Sequence, residues 1–221
     1  FPSQQYGLQW NAIAPYQDIQ ASKGLWIGTT NFTDQTGSFF PHKVVHVGPR
    51  VTGEGQFYSI EFKLISKCIP PLVLVNGNIS QDKWVTVDEI DANLIADRVI
   101  INKVNTQLGI TMTRKIFQFS QSFNDNYIIS EYTFKNTGNV DGDSTIELPN
   151  TTLSDVYFYY LYRLAVCANT RYAIGNSTGW GINTMIDVRG DGVITDPPNE
   201  NFRAQFVWHG KLPSFTWYDN I

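Results

Sequence analysis

The segment DVRGDGVITD, residues 187–196, sets Asp187, Asp191 and Asp196 where they can approach one another across a tight loop. Hard carboxylate oxygens, supplemented by backbone carbonyls, suit calcium, and these three aspartates are its candidate ligands. The spacing is not that of an EF-hand and no helical pair flanks it, so a polar turn is the competing reading. Arg189, Gly190 and Asp191 also spell RGD, a tripeptide that a solvent-facing loop could display to an adhesion receptor. Asp141 and Asp143 form a second, weaker acidic pair. Asp88, Glu89, Asp91 and Asp97 supply carboxylates for acid–base work, which requires two of them to converge on a cleft with different pKa values. A charged connection between strands accounts for the same four residues. His42 and His46 have the spacing H-x-x-x-H without the internal Glu of a zinc hydrolase, and with His209 they make no compact ligand cluster. Neither a G-x-S-x-G elbow nor a phosphate-binding loop is present. The residue types point away from an enzyme.

Binding chemistry is better represented. Trp26, Trp180, Trp208 and Trp217 lie near glycine-rich or polar segments, where an exposed ring could stack on a sugar. Packing in a core or an interface uses the same side chains. Cys68 and Cys167 could close one disulfide, worth ~4 kcal/mol in the chain-entropy model, or stay as two buried thiols. Asn31, Asn78, Asn150 and Asn176 each begin an N-x-S/T sequon, chemically competent for glycosylation in a suitable secretory pathway and equally expected at turns.

The elements that must position these residues read as strands. Asn124 to Asn139, NDNYIISEYTFKNTGN, puts Ile128, Ser130, Tyr132 and Phe134 on one side and Tyr127, Ile129, Glu131, Thr133 and Lys135 on the other. QFYSIEFKLI alternates in the same way, with Tyr58, Ile60, Phe62 and Leu64 as the expected apolar side. GLWIGTTNFT, PHKVVHVG, the run from Asp97 to Gln118, DGDSTIELPN and the aromatic LSDVYFYYLYRLAVCAN extend the pattern. DEIDANLIAD is the best candidate for a short helix or an irregular excursion. Many short strands with few helical periods predict an all-β, antiparallel, sandwich-like domain with long loops and little helix. Its expected extent is residues 24–221, after an irregular segment over 1–23.

Bulk composition narrows the function classes. The 221 residues are 42% hydrophobic, 14% aromatic and 16% charged, about two-thirds of the usual charged share, which argues against disorder. The formal charge is −4 and no long basic run occurs, so nucleic acid is not an expected partner. No apolar run reaches the length of a bilayer-spanning helix, and no transmembrane insertion is expected. The start FPSQQYGLQW has no initiator Met and no leader pattern, which suggests a portion of a longer protein.

Three phrases, DRVIINKVNTQLGITMTRKIFQFSQ, NDNYIISEYTFKNTGN and FRAQFVWHG, together resemble parts of large secreted or surface β-rich proteins of Bacteroidetes-like bacteria, which often carry a type IX secretion sorting domain. The resemblance covers the middle and later two-thirds of the chain and implies secretion and a surface or matrix role. It transfers no catalytic residue. The combined expectation is an extracellular structural or adhesive protein that associates with copies of itself, or with other matrix proteins, in a surface or fibre assembly. A carbohydrate-binding module and a secreted glycan-active hydrolase are the alternatives.

Overall fold

A computed structural model describes residues 8–9, 18–47, 56–69, 74–79, 86–164, 184–189 and 204–209. Among them the regular elements are all strands: β1 (Leu8–Gln9), β2 (Asp18–Thr33), β3 (Phe39–Val47), β4 (Phe57–Ser66), β5 (Leu74–Val75), β6 (Asn78–Ile79), β7 (Glu89–Ile90), β8 (Arg98–Thr106), β9 (Ile110–Gln118), β10 (Ile129–Asn136), β11 (Ser154–Leu164), β12 (Thr184–Arg189) and β13 (Ala204–His209). The fold is all-β with long connections, and every described pairing whose register is defined is antiparallel except the two-residue contact of β4 with β7. The chain divides into two compact units, Phe1–Leu25 with Gly48–Val51 and Tyr159–Ile221, and Trp26–Val47 with Thr52–Phe158.

The second unit is built on a five-stranded sheet in the order β10-β9-β8-β4-β7. Its register can be followed as rows across the strands. Phe134, Met112 and Val104 form one row, and Met112 and Val104 are buried. This is the inner face: Phe134 meets Phe158 of β11 with ring centroids 4.1 Å apart, and β2 and β3 add buried Ile27, Phe32 and Val45 to the same unit. Opposite-facing rows are polar, with Thr133, Thr113, Lys103 and Glu61 in one and Glu131, Lys115, Ile101 and Lys63 in another. Polarity changes along that same face: the next row, Ile129, Phe117, Val99 and Ile65, is apolar and buries Val99 and Ile65, so the face is solvated over part of its length only.

Two sequence expectations change in this sheet. The apolar row Tyr58, Ile60, Phe62 and Leu64 does not exist as a row, because a β-bulge between Ser59 and Glu61 leaves Ile60 without a partner on β8. One inserted residue reverses the face of everything beyond it, so Tyr58 pairs with Asn105 while Phe62 pairs with Asn102 and remains 69% exposed. Ile65, of the opposite parity, is the buried one, beside Val99. DGDSTIELPN forms turns and bends in place of a strand, because the Asp141 carboxylate accepts the Asp143 N–H at 2.8 Å and that of Asp143 accepts the Thr145 N–H at 2.6 Å. Such local side-chain bonds compete with a ladder.

DEIDANLIAD takes its irregular alternative. Asp91 Oδ1 accepts the Asn93 N–H at 2.9 Å, while the backbone N–H groups of Asp88 and Asp91 donate to the carbonyls of Leu64 and Ser66 on β4. The segment is tied to the sheet one group at a time. β5 and β6 are joined by Asn76 and Gly77, both at positive φ (52° and 79°), as a two-residue hairpin loop demands.

In the first unit β1 pairs with the start of β2, and β12 pairs with β13 from Thr184 opposite His209 to Arg189 opposite Ala204. The Lys23 ammonium lies 5.4 Å from the ring centroid of Tyr162, which stacks in turn on Tyr160.

Candidate functional site

The carboxylates proposed for acid–base work each serve a different local partner. Asp88 Oδ2 accepts the Leu64 N–H at 2.7 Å, and Asp91 accepts the Asn93 N–H. Glu89 pairs with the Lys63 ammonium at 3.0 Å, and Glu61 lies 3.5 Å from the same group. That hydrogen bond with Glu89 holds the Lys63 pKa above its ordinary value. Asp97 Oδ2 accepts both the backbone N–H of Ser120 at 2.6 Å and its hydroxyl at 3.0 Å, which keeps its carboxyl below the usual range. Beside it a cleft of about 360 Å³ is lined by residues including Lys67, Cys68, Asp97, Arg98 and Ser120.

The most highly connected polar group follows β10. Gly109 and Gly138 both have φ of +74°, and their backbones are in contact, so that a Cβ built on Gly109 would stand 3.0 Å from the Gly138 Cα. A Cβ on Gly138 would collide with the Leu148 carbonyl. This approach lets the Gly109 carbonyl accept the N–H groups of Thr137 and Gly138, and lets the Gly138 carbonyl accept that of Leu148. Asn105, 2% exposed in mid-sheet, completes the closure. Its amide donates to Asn139 Oδ1 at 2.7 Å and to the Asp141 carbonyl at 2.8 Å, and its Oδ1 accepts the Thr111 hydroxyl at 2.6 Å. The sequence pattern did not single out this network. The signal present was the Asn105-Thr106 pair at the end of β8 and two glycines, Gly109 after β8 and Gly138 after β10.

In the same loop Asp141, Asp143 and Glu147 bring their ligand atoms within 4.8 Å of one another. Their oxygens already accept loop N–H groups, including that of Val140 by Glu147 Oε2 at 3.0 Å. The Thr145 N–H lowers the Asp143 pKa. The acids act as caps that shape the turn.

Of the aspartates assigned to calcium by sequence, Asp187 lies in β12 opposite Phe206, and Asp191 and Asp196 lie outside the described residues. Trp26 is exposed on β2, its ring centroid 5.6 Å from that of His46. Trp208 is exposed on β13, and Trp180 and Trp217 are outside the described residues. Cys68 is exposed and Cys167 is outside. Asn31, Asn78 and Asn150 are exposed, Asn31 and Asn150 at positive φ, and Asn176 is outside.

Among the described residues β10 ends the five-strand order, and its eight residues pair with β9 from Ile129 opposite Phe117 to Asn136 opposite Ile110 without a bulge. Glu131, Thr133 and Lys135 are exposed along it, and Tyr132 and Phe134 are half-buried. An edge strand of this length and regularity presents a row of main-chain donors and acceptors for another strand.

Comparison of the chain with protein-family models, curated proteins and solved structures finds no match in any of the three.

Proposed function

We propose that the protein is an extracellular structural or adhesive component that associates with copies of itself. The observation that carries this reading is β10, an eight-residue, unbulged strand at the end of the sheet order among the described residues. Proteins that stay monomeric blunt such edges with prolines, bulges, short strands or charged side chains; β10 has no proline or bulge, and its two charges, Glu131 and Lys135, are of opposite sign.

Sedimentation velocity across a wide concentration range tests the reading. The expected result is a concentration-dependent shift to larger species. Alternate residues of an antiparallel strand turn their N–H groups toward and away from the partner, so Ser130→Pro and Thr133→Pro sample the two sides of β10. The variant whose lost N–H points away from β9 keeps its thermal midpoint and loses assembly. A wild-type protein that stays monomeric at every concentration overturns the proposal.

A second reading, carbohydrate binding, is favoured by one observation: Trp26 presents an exposed ring on β2 beside His46, with Gly28 next on the same strand face. A glycan array on which the wild type binds and Trp26→Ala does not would support it.

A further inference from the structure

We infer that the occupant of the β10 edge is β10 of a second copy, antiparallel, with the two-fold axis beside Thr133. The inference rests on the self-association reading and specifies its contact. A two-fold axis perpendicular to the sheet keeps polar face on polar face, so it must fall on a residue and not between two. β10 carries one acid and one base on its polar face, Glu131 and Lys135, two residues to either side of Thr133. Centring the axis on Glu131 sets Glu against Glu, and centring it on Lys135 sets Lys against Lys. Centring on Tyr132 faces the charges with Thr133 and Ile129, and centring on Phe134 faces them with Thr137 and Thr133. The register centred on Thr133 alone sets Glu131 against Lys135 twice, once on each side of the axis.

The same register satisfies the inner face. Tyr132 then faces Phe134 of the other copy, an aromatic cross-strand pair, and Ser130 faces Asn136. Thr133 faces itself, a β-branched pair suited to the centre of a ladder. Lys115 of the same copy already lies 4.0 Å from Glu131 on that polar face, so Glu131 would sit between two cations. Pairing would merge two five-stranded sheets into one continuous sheet and leave the two-residue strand β7 at both outer edges. Glu131 and Lys135 stand symmetrically about Thr133, so a second copy of β10 matches both charges of each strand at once, and this complementarity favours it as the occupant.

Charge exchange tests the register. Glu131→Lys gives a strand with two lysines on the polar face, and Lys135→Glu gives one with two glutamates. Each variant alone should dimerise at least about tenfold more weakly than wild type, because both cross-strand pairs become like-charged. Mixed together the two variants should associate, since every lysine of one then faces a glutamate of the other. The double variant Glu131→Lys/Lys135→Glu should recover wild-type assembly. Recovery in the mixture also shows that both single variants are folded. Assembly of wild type and both single variants alike overturns this contact while the self-association reading stands. A monomeric wild type removes both.

Discussion

The five-stranded sheet has two edges, and the chain treats them in opposite ways. At one end β7 is two residues long, set parallel to β4, and held by groups that leave little to pair with: Asp88 caps the Leu64 N–H, and the Asp88 and Asp91 N–H groups reach back to β4 carbonyls. At the other end β10 runs for eight residues in unbroken register and carries its charges outward. Both segments contain acids, isoleucines and an Asn or a Ser. The difference lies in where the polar groups find partners. Around β7 the carboxylates are engaged by β4 and by their own turn: Asp88 by the Leu64 N–H, Glu89 by the Lys63 ammonium and Asp91 by the Asn93 N–H. Along β10 the charged side chains stand exposed on the ladder, and the one pair they make, Glu131 with Lys115 at 4.0 Å, is itself exposed. A short, capped edge closes a sheet, whereas a long, regular one continues it.

What holds the open edge in place is the turn behind it, and this gives the largest expected effect. Gly138→Ala should destabilise the protein by about 2–4 kcal/mol, because the new Cβ meets the Leu148 carbonyl at a positive φ. Chemical denaturation measures it, and an unchanged midpoint would mean that β10 is anchored elsewhere. Asn105→Ala should cost about 2 kcal/mol, since the Thr111 hydroxyl, Asn139 Oδ1 and the Asp141 carbonyl lose a buried partner together. The closed edge should be less sensitive: Asp88→Ala removes one cap from Leu64 and should cost about 1 kcal/mol.

Acid sharpens the comparison at both ends of the sheet. Asp97 and Asp143 have folded-state pKa values lowered by accepted N–H bonds, from Ser120 and Thr145 respectively. A lowered folded pKa contributes stability above the unfolded value, near 4, and loses it as the pH falls through the folded value. Thermal midpoints should therefore decline as the pH is taken below about 4, and the decline should flatten in Asp97→Asn and Asp143→Asn. The smallest effect on the fold belongs to the open edge itself. Glu131→Lys breaks only an exposed pair with Lys115 and should change stability by less than about 0.5 kcal/mol, while its effect on assembly is large. A fold-level cost above that would show that β10 charges are structural, as they are around β7.

Much of this architecture was legible in the residues. The alternation predicted Glu131, Thr133 and Lys135 facing solvent, and they do, with Tyr132 and Phe134 half-buried; Ile128 and Ser130, expected on the buried side, are exposed. Period-two spacing dictates that outcome within a strand, whatever the neighbours are. The same rule failed for Tyr58 to Leu64, because a bulge is decided by the register of two strands and not by one. Asn105 and Thr111 read as ordinary strand residues in sequence, and only their closeness to Asn139 and Asp141, more than thirty positions further on from Asn105, gives them their work. Asp141 and Asp143 read as part of a strand, yet their carboxylates bond to N–H groups two residues on. The sequence by itself determined the all-β class and a strand within residues 124–139 with Glu131, Thr133 and Lys135 on its outer side, since these follow from local periodicity. The tertiary structure decided which strand became an edge and which glycines touch. Strand order and close backbone approach depend on contacts between residues far apart in the chain, and no local pattern encodes them.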